Sequence, residues 1–388
     1  MKILLIGEFS RLHNSLKEGL IALGHEVTLI GNGDGFKNYP VDLSTKAKFC
    51  ESKVMQIPRK AIHKITKFDI ATIEFGIRFY FHLKKLKNFD VVQLINESAI
   101  QTVPFLERYL LKKVIKQNKT RGKAERSEAK LFLLCCGVDY TVAKYMMEKK
   151  GKYSIMNPYF ENPESHIEYQ FILDFVSNNH KKTHHLVYEN CRGIIASDID
   201  YVLPMKDHPK FLGLIPNPIN TDTIVFLDTK IEDKINIFLG INSGTYYTKG
   251  ITFFEKALEI IASKYGATID INIVENIPYD EYIKLYNKAH IVLDQVYAYD
   301  QGYNALEAMA KGKVVFTGAE MEFVDYYKLN EKVAINALPD VDYLVTELSH
   351  LIENSNEIIA IGNRARMFIK KEHQYVKIAE KYLQTWKK

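Results

Sequence analysis

A strand, a loop, a helix and a second strand follow one another at the start of the chain, and this pattern begins again in its second half. The apolar runs Ile3–Ile6 and Glu26–Ile30 flank Asn14–Leu23, whose apolar residues have helical spacing. Ile235–Leu239 and Ile251–Lys264 repeat the strand and the helix. Such units form parallel sheets covered by helices, and their ligands bind beyond the carboxyl ends of the strands.

The segment of residues 215–220 contains two prolines, which predict a stiff, non-helical connection. A length of 388 residues suits two domains. We therefore predict an α/β protein with two Rossmann-like domains that face each other across a cleft. The first domain covers residues 1–215 and the second covers residues 216–371. An amphipathic helix at about residues 372–388 follows the second domain and is free to pack elsewhere.

Composition and charge exclude several classes of protein. Charged residues make up 26% of the chain and apolar residues 47%, which are values of a globular protein. The net charge of +5 is too small for a dedicated nucleic-acid binder, so no nucleic-acid partner is predicted. The four cysteines lack the C-x-x-C spacing of a zinc or redox site. Together with the absence of a stretch of transmembrane length, this predicts a cytoplasmic protein, with peripheral contact at the inner face of the membrane left open.

Polar residues follow the predicted strands of the first domain. Because the carboxyl ends of parallel strands meet at one edge of the sheet, these residues face a common rim. They follow Asp90–Ile95, Lys130–Cys135 and Gly193–Ala196, and they are Asn96, Glu97, Asp139, Tyr140, Ser197 and Asp198.

A loop that contains Gly302 leads into a predicted helix that carries Asn304 and Glu307. Backbone N–H groups at the start of a helix favour an anion such as a phosphate, and glycine allows the ligand a close approach. Glu307, about one turn later, can accept hydrogen bonds from a ribose diol. The alternative is that Glu307 only helps to cap its own helix.

The stretch from Glu307 through Met309 to Val315 resembles the signature of the retaining GT-B glycosyltransferases of family four, in which two glutamates are separated by seven residues. Glu307 matches the second glutamate, and the first falls on Tyr299. By this resemblance the catalytic candidates are Glu307 and, in place of the first glutamate, the carboxylate of Asp300 or the hydroxyl of Tyr299.

The resemblance covers nearly the whole chain in outline. Gly240 and Lys249 match the glycine loop that holds the donor diphosphate, although Asn242 and Ser243 stand where an arginine is expected. The resemblance implies a donor site made of Gly7, Gly240, Asn242, Ser243, Lys249, Glu275, Asn276, Gly302, Tyr303 and Asn304. It implies an acceptor site made of Glu8, His13, Asn14, Asn96, Glu97 and Asp139. As an alternative, His13 is a surface residue of its loop.

The function implied by the resemblance is transfer of a sugar from a nucleotide-sugar donor to a glycan or a lipid-linked acceptor. The family acts with retention and without a metal ion, so no cofactor is expected, and its last helix crosses back to the first domain. Two alternatives remain open. One is a GT-B protein that binds a nucleotide or glycan without transfer, which the substitution at Tyr299 and the missing arginine favour. The other, a nicotinamide-dependent dehydrogenase, rests on fold analogy alone.

The segment Lys112–Lys130 is dense in Lys and Arg and follows the apolar residues Tyr109–Leu111. A basic face beside apolar residues can hold anionic lipid headgroups and bring the protein to a lipid-linked acceptor. The alternative is a solvated helix end and loop.

Overall fold

The computed structural model describes residues 1–66, 68–119, 129–162, 166–227 and 230–388. Its first lobe is built on a seven-stranded parallel sheet with the strand order β3-β2-β1-β4-β5-β6-β7. The apolar runs found in the sequence form these strands, and Ile3–Ile6 in the middle of the sheet is fully buried. The strands are β1 (Lys2–Ile6), β2 (Glu26–Gly31), β3 (Leu43–Ser44), β4 (Val91–Leu94), β5 (Lys130–Cys135), β6 (Gly193–Ala196) and β7 (Phe211–Leu214).

Helices connect these strands and cover both faces of the sheet, as parallel crossovers require. In the described part of the first lobe they are α1 (Leu12–Ala22), α2 (Gln56–Thr66), α3 (Ala71–His82), α4 (Pro104–Lys119), α5 (Tyr140–Met147), α6 (Asn157–Glu161), α7 (His166–Leu173), α8 (Asn178–Asn190) and α9 (Ile199–Met205). Asp139, Ser177 and Asp198 accept backbone N–H groups at the starts of α5, α8 and α9, which fixes where these helices begin.

The second lobe is a five-stranded parallel sheet with the order β12-β11-β10-β8-β9. Its strands are β8 (Ile235–Ile241), β9 (Ile269–Glu275), β10 (Ile291–Leu293), β11 (Val314–Thr317) and β12 (Ile335–Asn336). Its helices are α10 (Ile251–Tyr265), α11 (Tyr279–Lys288), α12 (Tyr303–Ala310), α13 (Met321–Tyr327), α14 (Val341–Glu353) and α15 (Ser355–Phe368). The chain leaves the first sheet at Leu214 and enters the second at Ile235, and the boundary predicted at residues 215 and 216 lies in this connection.

The last helix, α16 (Tyr375–Lys387), returns to the first lobe and packs on α1. The helices approach closely because residue 19 is a glycine: a Cβ atom there would lie 2.4 Å from the carbonyl oxygen of Tyr375. Trp386 is buried, and its Nε1–H donates to Oε1 of Gln93 at 3.2 Å. The predicted α/β class, the two lobes and the returning helix are therefore confirmed. The helix begins three residues later than expected, after a π-helical turn over Ile369–His373.

No helix in the described ranges combines the length and the apolar content that a membrane span needs.

Candidate active site

The loop between β1 and α1 has an unusual backbone. Gly7 has a φ of 86°, and a Cβ atom there would lie 2.6 Å from the carbonyl oxygen of Ala99, so only glycine fits. Ser10 and Arg11 also have positive φ values, of 50° and 72°. Non-glycine residues in this conformation are strained, and such strain concentrates at functional sites. The loop points toward the second lobe at the carboxyl edge of the first sheet.

Glu8 lies buried beneath this loop. Its Oε2 accepts hydrogen bonds from the backbone N–H of Asn14 at 2.8 Å and from the side-chain amide of Asn14 at 2.6 Å. Its Oε1 has no hydrogen-bond partner among the described residues. Burial raises the pKa of Glu8 to about 8. The carboxyl group is therefore mostly protonated at neutral pH and has a hydroxyl to donate.

His13 is fully buried, so neither a surface position nor direct contact with an acceptor fits this conformation. Burial lowers its pKa to about 4, so the ring is neutral at pH 7. The Nδ1–H donates to the carbonyl oxygen of Gly7 at 2.7 Å, and Nε2 accepts from the amide of Gln93 at 3.2 Å. Because Gln93 also accepts from Trp386, a buried relay connects α16 through His13 to the Gly7 loop.

In the second lobe, Lys249 lies opposite a carboxylate that sequence analysis missed. Its Nζ is 2.8 Å from Oδ1 of Asp294, a buried residue directly after β10. The amide of Asn304 donates to the same oxygen at 3.3 Å, and the hydroxyl of Tyr282 donates to Asn304 at 3.3 Å. The carboxylate thus holds the ammonium and the amide side by side at the carboxyl edge of the sheet. The sequence did contain a signal for Asp294, because it is the polar residue that directly follows the apolar run Ile291–Leu293.

The remaining donor candidates lie where β8 and β9 end. The side-chain amide of Asn276 donates to Oγ of Ser243 at 2.8 Å, and Asn242 accepts the backbone N–H of Gly244 at 2.9 Å. Gly240 lies under the ring of Tyr282, which a Cβ atom would approach to 2.6 Å. Glu275 is the last residue of β9 and is exposed. The structure therefore brings these residues to the same edge as Lys249.

Glu307 faces the first lobe from helix α12. Gly302 is the residue that precedes the helix, so Glu307 is the fifth residue of α12 and too far along to cap its N-terminus. Burial raises the pKa of Glu307, while the positive charges of Arg11, Lys311 and Lys37 lower it. Two of these cations, Arg11 and Lys37, belong to the first lobe. The carboxylate is thus partly buried on the side of α12 that faces the first lobe.

Tyr303, the first residue of α12, joins the lobes near the connecting segment. Its hydroxyl shares a hydrogen bond of 2.6 Å with Oγ of Ser15 and donates to the carbonyl oxygen of Pro218. Tyr303 therefore fixes the start of α12 against α1. In this conformation its hydroxyl is engaged by protein groups.

A group of carboxylates also meets at the junction of the lobes, of which Asp198 and Asp300 were named from the sequence and Asp200 was missed. Asp200 accepts the backbone N–H groups of Tyr299 at 3.1 Å and of Asp300 at 3.2 Å. Asp300 in turn accepts the N–H of Ile199 at 3.3 Å. Burial raises the pKa of Asp200 and of Asp300 to about 7 each, and it raises the pKa of the neighbouring Asp198 as well. These contacts connect residues about a hundred positions apart in the sequence, so no local sequence pattern could have predicted them.

Tyr299 and Asp300, the predicted substitutes for the first motif glutamate, belong to this junction. The Tyr299 hydroxyl accepts the backbone N–H of Lys152, and its ring packs against that of Tyr153, with 5.3 Å between the ring centres and a tilt of 34° between the ring planes. Tyr153 and Lys152 both contact Glu320 of the second lobe. Both predicted residues are therefore almost wholly buried and hold the lobes together in this conformation.

A cavity of about 500 Å³ lies between the lobes beside this junction. Gly302 borders it, so it reaches the start of α12. Its walls carry several aromatic rings, and its polar lining includes the junction carboxylates; these residues are Tyr145, Tyr153, Phe160, Tyr297, Tyr299, Asp198, Asp200, Asp300 and Gln301.

The other predicted acceptor residues lie inside the first lobe. Asn96 donates to the carbonyl oxygens of Cys136 and Val138, at 3.0 and 3.2 Å. Glu97 is buried against His184, with 2.7 Å between Oε1 and Nδ1, and Asp139 accepts the N–H of Val142. Burial raises the pKa of Glu97 and of Asp139 to about 8 each. The structure brings these three residues together inside the first lobe, and none of them lines the cavity.

Among the described residues, no group of three or more His, Cys, Asp and Glu side chains is placed to hold a metal ion.

Two facing parallel α/β lobes, with the last helix returned to the first, define the GT-B class of proteins. Sucrose-phosphate synthase from Thermosynechococcus elongatus has this fold: it is 13% identical, with a TM-score of 0.59, and the match covers 100% of this chain and 98% of that one. HepE from Anabaena, solved with UDP and glucose, is 12% identical with a TM-score of 0.58 and 99% coverage of both chains. A structure titled as a putative UDP-N-acetylglucosamine 2-epimerase from Listeria monocytogenes is 12% identical with a TM-score of 0.52, covering 99% of this chain and 95% of that one.

At these identities the likeness concerns the fold. Residues 250–384 match the sequence model of the family described as Glycosyl transferase-like. The chain thus has the GT-B fold, and the matched family model covers residues of its second lobe and of the returning helix α16. The search of curated proteins finds no match.

Proposed function

We propose that this chain is a glycosyltransferase that moves a sugar from a nucleotide-sugar donor to a glycan or a lipid-linked acceptor. One observation carries the proposal: Lys249 and Asn304 converge on Asp294 at the carboxyl edge of the second sheet. Glu307 follows Asn304 by three residues on the same helix, and both lie within residues 250–384, which match the glycosyl transferase-like family. HepE, a structural neighbour, was solved with UDP-glucose, which supports a uridine donor here as a starting point.

In the proposed complex the donor diphosphate lies between the Lys249 ammonium and the backbone N–H groups at the start of α12. Both offset negative charge on the leaving diphosphate, and the helix dipole acts in the same direction. Asp294 holds the ammonium in place from behind, since its carboxylate is buried and the ammonium is partly exposed. On this basis we propose that transfer requires no metal ion, and the resemblance to a retaining family supports the proposal that it retains the anomeric configuration.

Glu307 is proposed to accept hydrogen bonds from the donor ribose. Its position between the lobes supports this role, because Arg11 and Lys37 from the first lobe oppose the effect of burial and favour its ionised form. Gln keeps the shape of the side chain but loses the negative charge and one acceptor oxygen, so replacing Glu307 by Gln should weaken donor binding by about tenfold.

The cavity between the lobes is the proposed site of the acceptor. Its aromatic walls and buried carboxyl groups offer apolar faces and a few polar groups, which is the usual make-up of a small-molecule site. Phe160→Ala should therefore leave donor binding unchanged and lower the rate of transfer at limiting acceptor concentrations.

The second candidate function is binding without transfer. The observation that favours it is the burial of Tyr299 and Asp300 in contacts that hold the lobes together. A thermal-shift panel of UDP, GDP and ADP with their sugars identifies a ligand, because a ligand that binds the folded state raises its melting temperature. Release of free nucleotide from the matching donor then tests catalysis. Stabilisation without release of nucleotide from any donor, with glycan and lipid-linked acceptors present, would favour the binding protein.

We also propose that a lipid-linked acceptor would be met at a membrane surface. Of the basic segment Lys112–Lys130, residues 120–128 lie outside the described residues. The described part of the segment contributes four exposed lysines on α4, which support the proposal: Lys112, Lys113, Lys116 and Lys119.

A further inference from the structure

The cavity between the lobes is lined by three carboxyl groups that no cation of the protein balances. Asp198 and Asp200 are partly exposed, whereas Asp300 is 4% exposed. All three accept backbone N–H groups, and Asp200 accepts that of Asp300 itself at 3.2 Å. Among the described residues, no Lys, Arg or His forms an ion pair with any of the three. The negative charge of Asp300 helps to raise the pKa of Asp198 and Asp200, so a positive charge that enters the cavity is attracted.

The two lysines that border the cavity are engaged elsewhere. Lys149 is exposed, and its Nζ lies 4.3 Å from the centre of the Phe160 ring. The side chain of Lys152 is 60% exposed, and its Nζ lies 3.3 Å from Oε2 of Glu320. The charge of the three carboxyl groups therefore remains for a ligand to balance.

Gln301 adds a hydrogen-bond acceptor at the wall of the cavity. The residue borders the cavity and is 1% exposed. Its Nε2 donates to the carbonyl oxygen of Gly318 at 2.6 Å, which identifies the other end of the amide as the oxygen. This Oε1 atom has no hydrogen-bond partner among the described residues. A buried acceptor without a partner costs free energy, so we expect a ligand to donate a hydrogen bond here.

The size and the aromatic walls of the cavity restrict the kind of cation that fits. No three His, Cys, Asp or Glu side chains in the described part of the chain are placed to hold a metal ion, which disfavours a bare divalent cation. The cavity has a volume of about 500 Å³, which suits a small organic molecule. Tyr145 and Phe160 of the first lobe and Tyr297 of the second lobe line it. Aromatic rings attract ammonium groups and offer apolar surface to a sugar ring.

We propose that the cavity binds a saccharide that carries a protonated amino group. The ammonium group lies against Asp198, Asp200 and Asp300, and a hydroxyl group of the sugar donates to Oε1 of Gln301. A neutral sugar can donate hydrogen bonds to the carboxylates but does not balance their charge, so the amino sugar is the better ligand. The inference rests on the proposed function in one respect, because it identifies this saccharide as the acceptor. Binding itself requires no donor.

The test is calorimetric titration of the full chain with three disaccharides, first without nucleotide and then with UDP present. They are the glucosamine disaccharide of chitosan, its N-acetylated form, and cellobiose, in which hydroxyl groups stand in place of the amines. We expect the glucosamine disaccharide to bind at least tenfold more tightly than the two neutral sugars. Equal or tighter binding of either neutral sugar would overturn the proposal. Absence of binding of the glucosamine disaccharide under both conditions would overturn it as well.

Two variants test the role of the carboxyl groups. Asp300→Asn and Asp198→Asn keep the shape of the side chain and remove its charge. Asn is a favoured residue at the start of a helix, so Asp198→Asn preserves the cap of α9. Each variant should bind the glucosamine disaccharide at least tenfold more weakly than the wild type.

The matched control is Asp340→Asn, which should bind the glucosamine disaccharide as the wild type does. Asp340 is an exposed carboxylate that caps α14 in the same way, by accepting the backbone N–H of Tyr343 at 3.0 Å. Thermal unfolding shows whether each variant is folded. Wild-type affinity in folded Asp300→Asn and Asp198→Asn would show that the carboxyl groups do not hold the ligand and would contradict the proposal.

Transfer is measured separately, as the release of nucleotide from a sugar donor. Binding of the glucosamine disaccharide without release of nucleotide from any donor supports this inference and counts against the proposed transfer. Release of nucleotide that the neutral disaccharides stimulate and the glucosamine disaccharide does not supports transfer and overturns this inference.

Discussion

The carboxylates at the lobe junction make a prediction about stability. Asp300 uses Oδ1 to accept the N–H of Gln301 at 2.7 Å and Oδ2 to accept the N–H of Ile199 at 3.3 Å. Asp198 and Asp200 lie close by, and the negative charge of Asp300 helps to raise the pKa of both. The substitution Asp300→Asn keeps the shape of the side chain and one acceptor oxygen, but it removes the buried charge.

Burial raises the pKa of Asp300 from 3.8 to about 7, which is about three units. At about 1.4 kcal/mol per unit, ionising this buried group costs on the order of 4 kcal/mol of folding free energy. An acid with a raised pKa makes the folded protein bind more protons than the unfolded chain between the two pKa values. The free energy of unfolding of the wild type therefore falls as the pH rises from about 4 to about 7. Above pH 7, Asp300 causes no further loss of stability.

The variant has no such penalty but lacks one acceptor, a loss of about 1 kcal/mol. We expect Asp300→Asn to be slightly less stable than the wild type near pH 4 and more stable, by up to about 3 kcal/mol, near pH 8. Scanning calorimetry over this pH range measures the difference. The control is Asp270→Asn, because Asp270 is exposed and its pair with Lys234 at 3.1 Å is on the surface. Parallel pH profiles of wild type and Asp300→Asn would refute the argument.

Three further predictions follow from the returning helix and the donor site. Gly19→Ala should destabilise the protein by about 1–3 kcal/mol, because the added Cβ atom would meet the carbonyl oxygen of Tyr375. Chemical denaturation measures the free energy of unfolding. The control Ala22→Ser, on the exposed side of α1, should have little effect. Trp386→Phe should lower the free energy of unfolding by about 1–3 kcal/mol, because Oε1 of Gln93 loses the buried N–H group that donates to it. The control Tyr382→Phe should be nearly neutral in the same assay, because the Tyr382 hydroxyl has no partner among the described residues. Asp294→Ala should weaken nucleotide binding by calorimetry, because Lys249 and Asn304 lose the oxygen that holds them; an unchanged dissociation constant would remove Asp294 from the site.

Much of the fold could be predicted from the sequence because its signals are local. Short apolar runs such as Ile3–Ile6 form the buried strands, and the proline segment near Pro216 marks the connection between the two sheets. The returning helix was expected only from the resemblance to a family. Its partner α1 lies more than 350 residues away, and the only local sign of the contact is Gly19, which reads as an ordinary helix glycine.

The candidate site was predictable where a loop follows a strand and leads into a helix. Lys249, Asn304 and Glu307 follow that rule, and Asp294 could have been found by it. The acceptor residues could not be placed, because a position after a strand does not show whether the side chain faces the cleft. His13 and Glu97 turn inward, where Gln93 and His184 supply their partners.

The most direct test of the central claim is calorimetric titration of UDP and UDP-glucose, followed by the other nucleotide sugars, into three forms of the protein. These forms are the wild type, Lys249→Gln, and the control Lys256→Gln, whose lysine is exposed on helix α10. We expect one nucleotide sugar to bind the wild type and the control with the same affinity and Lys249→Gln at least tenfold more weakly. Failure of every nucleotide sugar to bind, or equal binding to all three proteins, would contradict the account.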